Sequence, residues 1–181
     1  MDKRAPERFE TLRLILRRPR PEDAEAIFAR YASDSRVTRL MSWPRHKSVA
    51  ATREFLEFSD LEWARWPAGP YLVESRADGQ LLGSTGFAFE TPNRAATGYV
   101  FANDAWGKGY ATEALRAVVE IARGIGVVRL YALCHIENTP SWRVLEKCDF
   151  VREGVLRCHS EFPNLSPGEP CDVFCYALVL K

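Results

Sequence analysis

The sequence lacks the features that would place it in a specialised class. It has no apolar run approaching the roughly 20 residues that a helix needs to cross a bilayer. Its first residues lack the apolar core of a signal peptide, and it contains no internal repeat, low-complexity tract or linker. We therefore expect one cytoplasmic domain over residues 1–181, with no membrane partner.

Neither the charge nor the cysteine content indicates a special partner. The chain has 25 basic and 24 acidic side chains, so its net charge of +1 gives no reason to expect a nucleic-acid partner. Its five cysteines are odd in number and show no Cys-x-x-Cys spacing: Cys134, Cys148, Cys158, Cys171 and Cys175. The pattern predicts neither a disulfide framework nor a zinc site, and we expect no metal.

What the sequence does contain is an order of elements typical of a single α+β domain. About seven strands are predicted, over residues 11–18, 71–76, 81–90, 96–102, 127–133, 150–157 and 172–180. About four helices are predicted: one opening at residues 21–23, one from about 48 to 66, one after Gly109 and one over 139–148. The Asp78-Gly79 dipeptide favours a hairpin, and a hydrophobic content of 46% is enough for a sizeable core.

A glycine pair at the start of the third helix carries the strongest functional signal. Gly107 and Gly109 separate the strand at 96–102 from a helix whose apolar residues share one face. The first N–H groups of a helix are unpaired and positively polarised, and glycine lets a ligand approach them closely. The pair therefore predicts either a phosphate or pyrophosphate site, or a tight turn that binds nothing.

A dinucleotide-binding dehydrogenase does not fit this pattern. Position 112 is Thr, where the dinucleotide fingerprint has its third glycine. The strands before the glycine pair form predicted hairpins, whereas that fold repeats βαβ units.

Three segments, in the correct order, resemble the GCN5-related N-acetyltransferase (GNAT) superfamily, and within it the ribosomal-protein-alanine N-acetyltransferase branch. Residues 11–24 are similar to the branch's opening strand and helix, residues 98–114 to its coenzyme A pyrophosphate loop, and residues 138–150 to its second cofactor motif. Asp149 stands where that motif has glycine. The resemblance implies a GNAT-type domain with a mixed, mostly antiparallel sheet, acetyl-CoA as co-substrate, and direct attack by a primary amine in a ternary complex.

The resemblance also implies roles for individual residues. Ser141 would protonate the departing thiolate, and Glu161, expected in the loop between the last two strands, would be the general base. His159 and Glu90 are alternatives for the base. The residues implied to bind the cofactor are Val100, Phe101, Trp106, Gly107, Lys108, Gly109, Tyr110, Ala111, Thr112, Asn138 and Ser141. Structural roles compete with these: helix capping for Asn138 and Ser141, and a solvated position for Glu161.

The acceptor stays open at this point. It is a protein N-terminus, a free amino acid, a polyamine or an amine-bearing antibiotic. The resemblance also implies that a homodimer is possible, because homodimers are frequent among similar proteins. Specificity is expected from segment 159–170 and from segment 33–47, where the branch builds part of its acceptor pocket around Trp43 and His46. The alternative function is a non-catalytic coenzyme A binding or sensing module, because Ala96-Thr97 occupies the place where many members carry an acidic residue.

Overall fold

A computed structural model describes residues 3–180 as an eight-stranded sheet with five helices. The strands are β1 (Arg8–Glu10), β2 (Leu14–Arg17), β3 (Pro70–Ser75), β4 (Leu81–Thr91), β5 (Arg94–Phe101), β6 (Arg129–His135), β7 (Val151–Glu161) and β8 (Pro170–Val179). The helices are α1 (Ala24–Ile27), α2 (Ser35–Thr38), α3 (Val49–Arg65), α4 (Tyr110–Ile125) and α5 (Thr139–Glu146). In the described part of the chain, no helix is both long and apolar enough to cross a membrane.

The strands lie in the order β1-β2-β3-β4-β5-β6-β8-β7, and every neighbouring pair is antiparallel except β5 and β6. The α+β prediction is therefore confirmed, with one more strand and one more short helix than expected. The predicted first strand begins only at Leu14, because the Thr11 hydroxyl accepts the Leu14 N–H at 3.0 Å and turns the chain back to β1. Leu12 in this turn is 86% exposed, so the apolar alternation that predicted a strand from residue 11 overextended it.

Side chains of the sheet alternate between two apolar clusters on its two faces. On β3, Tyr71 and Val73 join the cluster that contains Val118 of α4. Leu72, between them, joins the cluster that contains Ile27 of α1. Helices thus cover both faces and fix the sheet from either side.

The sheet opens between its two parallel strands. β5 and β6 pair at only three positions, Arg94 with Arg129, Ala95 with Leu130 and Ala96 with Tyr131. Beyond them, residues 97–101 pair with β4 alone and residues 132–135 with β8 alone. The edges of β5 and β6 that face each other across this opening therefore have no strand partner there, and their unpaired backbone groups can bind a ligand.

The turn after α5 explains how this chain tolerates Asp149 in place of glycine. The Phe150 N–H donates to the Leu145 carbonyl and the Asp149 N–H to the Glu146 carbonyl, both at 3.1 Å. These two bonds form a Schellman motif, which requires a left-handed residue after the helix. Asp149 is that residue, with φ at 65°.

Asp149→Gly should raise the free energy of unfolding by about 0.5–1 kcal/mol, because glycine adopts this conformation without the steric penalty of a Cβ. Urea denaturation measures the change. Asp149→Ala, which keeps the Cβ, is the control and should bring no gain. A glycine variant less stable than the native protein would contradict the expectation.

Candidate active site

The glycine loop connects the end of β5 to α4. Gly107 and Gly109 have φ values of 72° and 79°, in the left-handed region that favours glycine. Gly109 caps α4, whose first backbone bond runs from the Glu113 N–H to the Gly109 carbonyl at 3.1 Å. The N–H groups of residues 110–112 precede that bond and have no partner within the helix. A Cβ added at Gly107 would meet no protein atom within 4 Å, so the space beside the loop is open.

The turn between β1 and β2 fixes the start of α4. The Thr11 hydroxyl and the Arg13 backbone N–H both donate to one carboxylate oxygen of Glu113, at 2.6 and 2.8 Å. The Arg13 guanidinium donates to the other oxygen at 2.6 Å and to the Lys108 carbonyl at 3.0 Å. Burial raises the pKa of Glu113, but the bonds from Thr11 and Arg13 outweigh it and hold this pKa below its ordinary value. Glu113 therefore stays ionised, and Arg13 neutralises its charge beside the loop.

A cavity of about 750 Å³ lies at the opening between β5 and β6. Val100, Asn138 and Ser141, three of the residues predicted to bind the cofactor, line it together. Of the other predicted residues, Phe101 is buried at the end of β5, and the Trp106 indole donates to the Phe101 carbonyl at 2.8 Å. Residues 106–112 are not among the described residues that line the cavity. The predicted residues thus fall into two groups, one in the cavity and one at the helix mouth.

A tyrosine that was not predicted as catalytic crosses the opening. The Tyr99 hydroxyl donates to the Ser141 carbonyl at 2.6 Å, and the Ser141 hydroxyl lies 3.1 Å from the same phenol oxygen. Burial raises the pKa of Tyr99, so its hydroxyl stays protonated at neutral pH. The pair can therefore supply a proton inside the cavity. Only the Gly98-Tyr99-Val100 stretch of the resemblance marked this position in the sequence.

Asn138 and Ser141 also occupy the capping positions that were the structural alternative. Asn138 is the N-cap of α5, and its side-chain oxygen accepts the Ser141 N–H at 3.4 Å. Capping uses the Ser141 backbone and leaves its hydroxyl available. The structural and chemical roles of these two residues are therefore compatible.

The predicted base and its alternatives lie outside the cavity. Glu161 is exposed and ends β7, paired with Pro170, instead of lying in the following loop. Its neighbours Ser160 and Phe162 line the cavity. His159 is exposed, and Glu90 accepts a hydrogen bond from Tyr131 and pairs with Arg94. The catalytic role of Glu161 stays a prediction.

Asn164 joins the two segments that were expected to set specificity. Its side-chain N–H groups donate to the carbonyls of Thr38 and Trp43 at 2.8 and 2.9 Å. Its side-chain oxygen accepts the Arg45 N–H at 2.8 Å. Trp43 and Phe162, one from each segment, both line the cavity. One amide group therefore holds both segments together at the cavity wall.

Asn164→Ala should raise the KM for the acceptor about tenfold and leave the KM for acetyl-CoA unchanged, because it removes three bonds worth roughly 1 kcal/mol each, partly replaced by water. Steady-state kinetics with each substrate varied in turn measures both constants. Asn93→Ala, in the turn between β4 and β5, is the matched control. Equal rises in both constants would show a general loss of structure.

The described residues thus combine a sheet that opens between β5 and β6 with a helix mouth whose first N–H groups have no partner within the helix. Residues 13–151 match the family model described as an acetyltransferase (GNAT) domain. The chain belongs to the GNAT acetyltransferase family and is an acetyl-CoA-dependent acyltransferase.

Similar proteins agree with this assignment. The uncharacterized N-acetyltransferase YoaA of Bacillus subtilis (strain 168) is 32% identical over 94% of this chain and 96% of its own length. A GNAT-family acetyltransferase structure from Bacillus anthracis is 28% identical, with a TM-score of 0.81 over 95% of this chain and 98% of that one. RimL, a ribosomal L7/L12 α-N-protein acetyltransferase solved with coenzyme A, shares the fold, with a TM-score of 0.81 at 22% identity over 97% of both chains. The predicted family is confirmed.

Proposed function

We propose that this protein transfers the acetyl group of acetyl-CoA to a primary amine, which attacks the thioester directly while both substrates are bound. The observation that carries the proposal is a single cavity that joins the β5–β6 opening to an aromatic compartment under α3. The reacting ends of both substrates would occupy this one space. Holding two reactants side by side supplies a large part of the rate of such a reaction.

The residues at the helix mouth fit the diphosphate of acetyl-CoA. Three unpaired N–H groups, two left-handed glycines and the exposed Lys108 surround open space, and Arg13 neutralises the nearby acid. Asn138 and Val100 would line the path of the pantetheine arm toward the cavity. When bound, acetyl-CoA supplies a thioester carbonyl that is activated toward attack by an amine. No metal is required by this chemistry.

Ser141 and Tyr99 would provide the proton that the sulfur needs. The Tyr99 proton is engaged with the Ser141 carbonyl, which leaves the Ser141 hydroxyl free to turn toward the cavity. Protonating the thiolate as it leaves prevents the reverse attack and lowers the barrier. Ser141 is the donor in this scheme, and Tyr99 orients it and replenishes its proton.

The lining of the cavity favours an acceptor with a single amine on an apolar body. Its acceptor end is built from aromatic side chains, and Glu54 is the one carboxylate among the described residues that line it. A polyamine or an aminoglycoside carries several cations and would need several acids. Aromatic faces and one carboxylate instead suit one ammonium group, on a small molecule or at a protein N-terminus.

Calorimetric titration with acetyl-CoA, followed by thiol release with an amine panel, tests the proposal. The panel contains phenethylamine, spermidine, an aminoglycoside and a short peptide with a free N-terminus. We expect saturable acetyl-CoA binding and the fastest release with an apolar monoamine or the peptide. Binding without release from any amine would favour the non-catalytic coenzyme A module. A folded protein that does not bind acetyl-CoA would contradict both.

A further inference from the structure

The proposed function leaves one chemical requirement unassigned, a proton acceptor inside the cavity. An alkylamine is protonated at neutral pH and has no lone pair until a base removes its proton. Six ionisable side chains and one thiol line the cavity in the described part of the chain: Tyr31, Arg45, His46, Glu54, Tyr99, Tyr131 and Cys134. The inference below rests on the proposed function.

Most of these groups cannot accept a proton at neutral pH. Burial raises the pKa of the three tyrosines and of the Cys134 thiol, the latter to about 12. Arg45 is always a cation. Two candidate proton acceptors remain among the side chains that line the cavity, His46 and Glu54. Glu54 is exposed on α3, where water competes for its carboxylate, whereas the His46 side chain is half-buried.

The His46 ring is held so that one nitrogen is used by the protein and the other is not. Nδ1 lies 2.8 Å from the hydroxyl oxygen of Thr52, a fully buried residue of α3. The Trp43 ring lies 5.3 Å away, and the His46 backbone N–H donates to the Ala32 carbonyl at 3.0 Å. Among residues 3–180, no hydrogen bond occupies Nε2. In the tautomer whose Nδ1–H donates to Thr52, the lone pair lies on Nε2 of a ring that lines the cavity, and the inference uses this tautomer.

Burial keeps His46 neutral at physiological pH. Burial lowers its pKa below the ordinary value of 6.5, and the Glu54 carboxylate opposes this only in part. Arg45 and Lys47 flank it in the chain, but both side chains are exposed, so water and salt screen their charges. On the side of Ala32, the nearby Arg30 is paired with Asp104. His46 is thus present as the free base, the form that accepts a proton.

We propose that His46 is the general base of the transfer, and that its Nε2 takes a proton from the bound ammonium group directly or through one water. The nitrogen lone pair then forms the C–N bond, and the carbonyl π pair moves to oxygen. When that pair returns, the C–S bond breaks. The second nitrogen proton passes through Tyr99 and Ser141 to the sulfur, and His46 releases its proton to solvent.

The pH dependence of kcat/KM with a monoamine tests this base against Glu161. In the native enzyme, activity should fall as the pH drops through a value below 6.5, because protonated His46 cannot accept a proton. His46→Gln should lower kcat/KM about 100-fold at neutral pH and remove this acid limb. Lys47→Gln, the neighbouring control, should keep the limb. An unchanged limb in His46→Gln, or its loss in Glu161→Gln, would overturn the proposal.

A second variant removes the hydrogen bond that holds the His46 ring and keeps the ring itself. Thr52→Val has nearly the same shape, and we expect about tenfold lower kcat from a ring free to rotate. Adding it to His46→Gln should cost nothing more, because Thr52 acts only by holding the His46 ring that the first substitution removes. If His46→Gln does not fold, normal activity in Thr52→Val alone overturns the proposal.

Acetyl-CoA affinity separates this proposal from the function on which it rests. Calorimetry should give the same affinity for the native protein and all the variants. A native protein that binds acetyl-CoA but acetylates no amine would overturn both the proposed function and this base. If the native protein acetylates an amine and His46→Gln keeps the fall in activity at low pH, only the assignment of His46 as the base is overturned.

Discussion

Gly109→Val should weaken acetyl-CoA binding at least about 100-fold in calorimetric titration. Gly109 has a φ of 79°, which a β-branched residue adopts only with strain. An added Cβ would lie 3.5 Å from a guanidinium nitrogen of Arg13, in ordinary contact, so the main cost is the strain of a β-branched residue at a positive φ. The variant should therefore displace the backbone N–H groups proposed for the diphosphate.

The other end of the same helix provides a matched control. Gly126 ends α4 with a φ of 85°, and a Cβ there would meet no protein atom within 4 Å. Gly126→Val should therefore cause a similar loss of stability, about 1–2 kcal/mol, and keep the native affinity for acetyl-CoA. If both variants bind as the native protein does, the glycine loop is a structural turn and the site lies elsewhere.

Ser141→Ala and Tyr99→Phe should each lower kcat about 100-fold and change acetyl-CoA affinity less than twofold, because they remove the proton donor and not the binding surface. Thiol release under saturating substrates measures kcat. The double variant should be little worse than either single one, since the two hydroxyls act as one unit.

The capping role of Ser141 predicts a different result. Alanine keeps the backbone N–H that Asn138 accepts, so the cap and the stability of α5 should survive Ser141→Ala. A variant with full turnover would leave Ser141 with the capping role alone. Full turnover in Tyr99→Phe as well would exclude the pair as a proton source.

Sequence patterns predicted what depends on nearby residues. The order of the elements, the glycine turn and the Asn138 cap follow from local spacing, and all are present. The contacts between Arg13 and Glu113, Tyr99 and Ser141, and Asn164 and Trp43 were missed. Each joins residues at least 42 positions apart, and only the complete tertiary fold brings such residues together.

The candidate base shows the same limit. Glu161 was chosen by its place in the sequence, but strand alternation at the end of β7 turns Ser160 and Phe162 to the cavity. His46 depends on a contact with Thr52 in the next helix, which the irregular segment around it did not indicate. Whether a side chain faces a cavity is set by strand register and loop path, and neither can be derived from composition or motif.

The short pairing between β5 and β6 leaves few backbone hydrogen bonds between the two halves of the sheet. Strands β1 to β5 form one half of the sheet and β6 to β8 the other, and strand pairing between the halves covers three positions. A ligand that spans the opening would replace the missing ladder and cross-link the halves. Amide hydrogen exchange over residues 97–101 and 132–135 would then slow most when acetyl-CoA binds, because ligand binding suppresses the opening fluctuations of the joint it bridges.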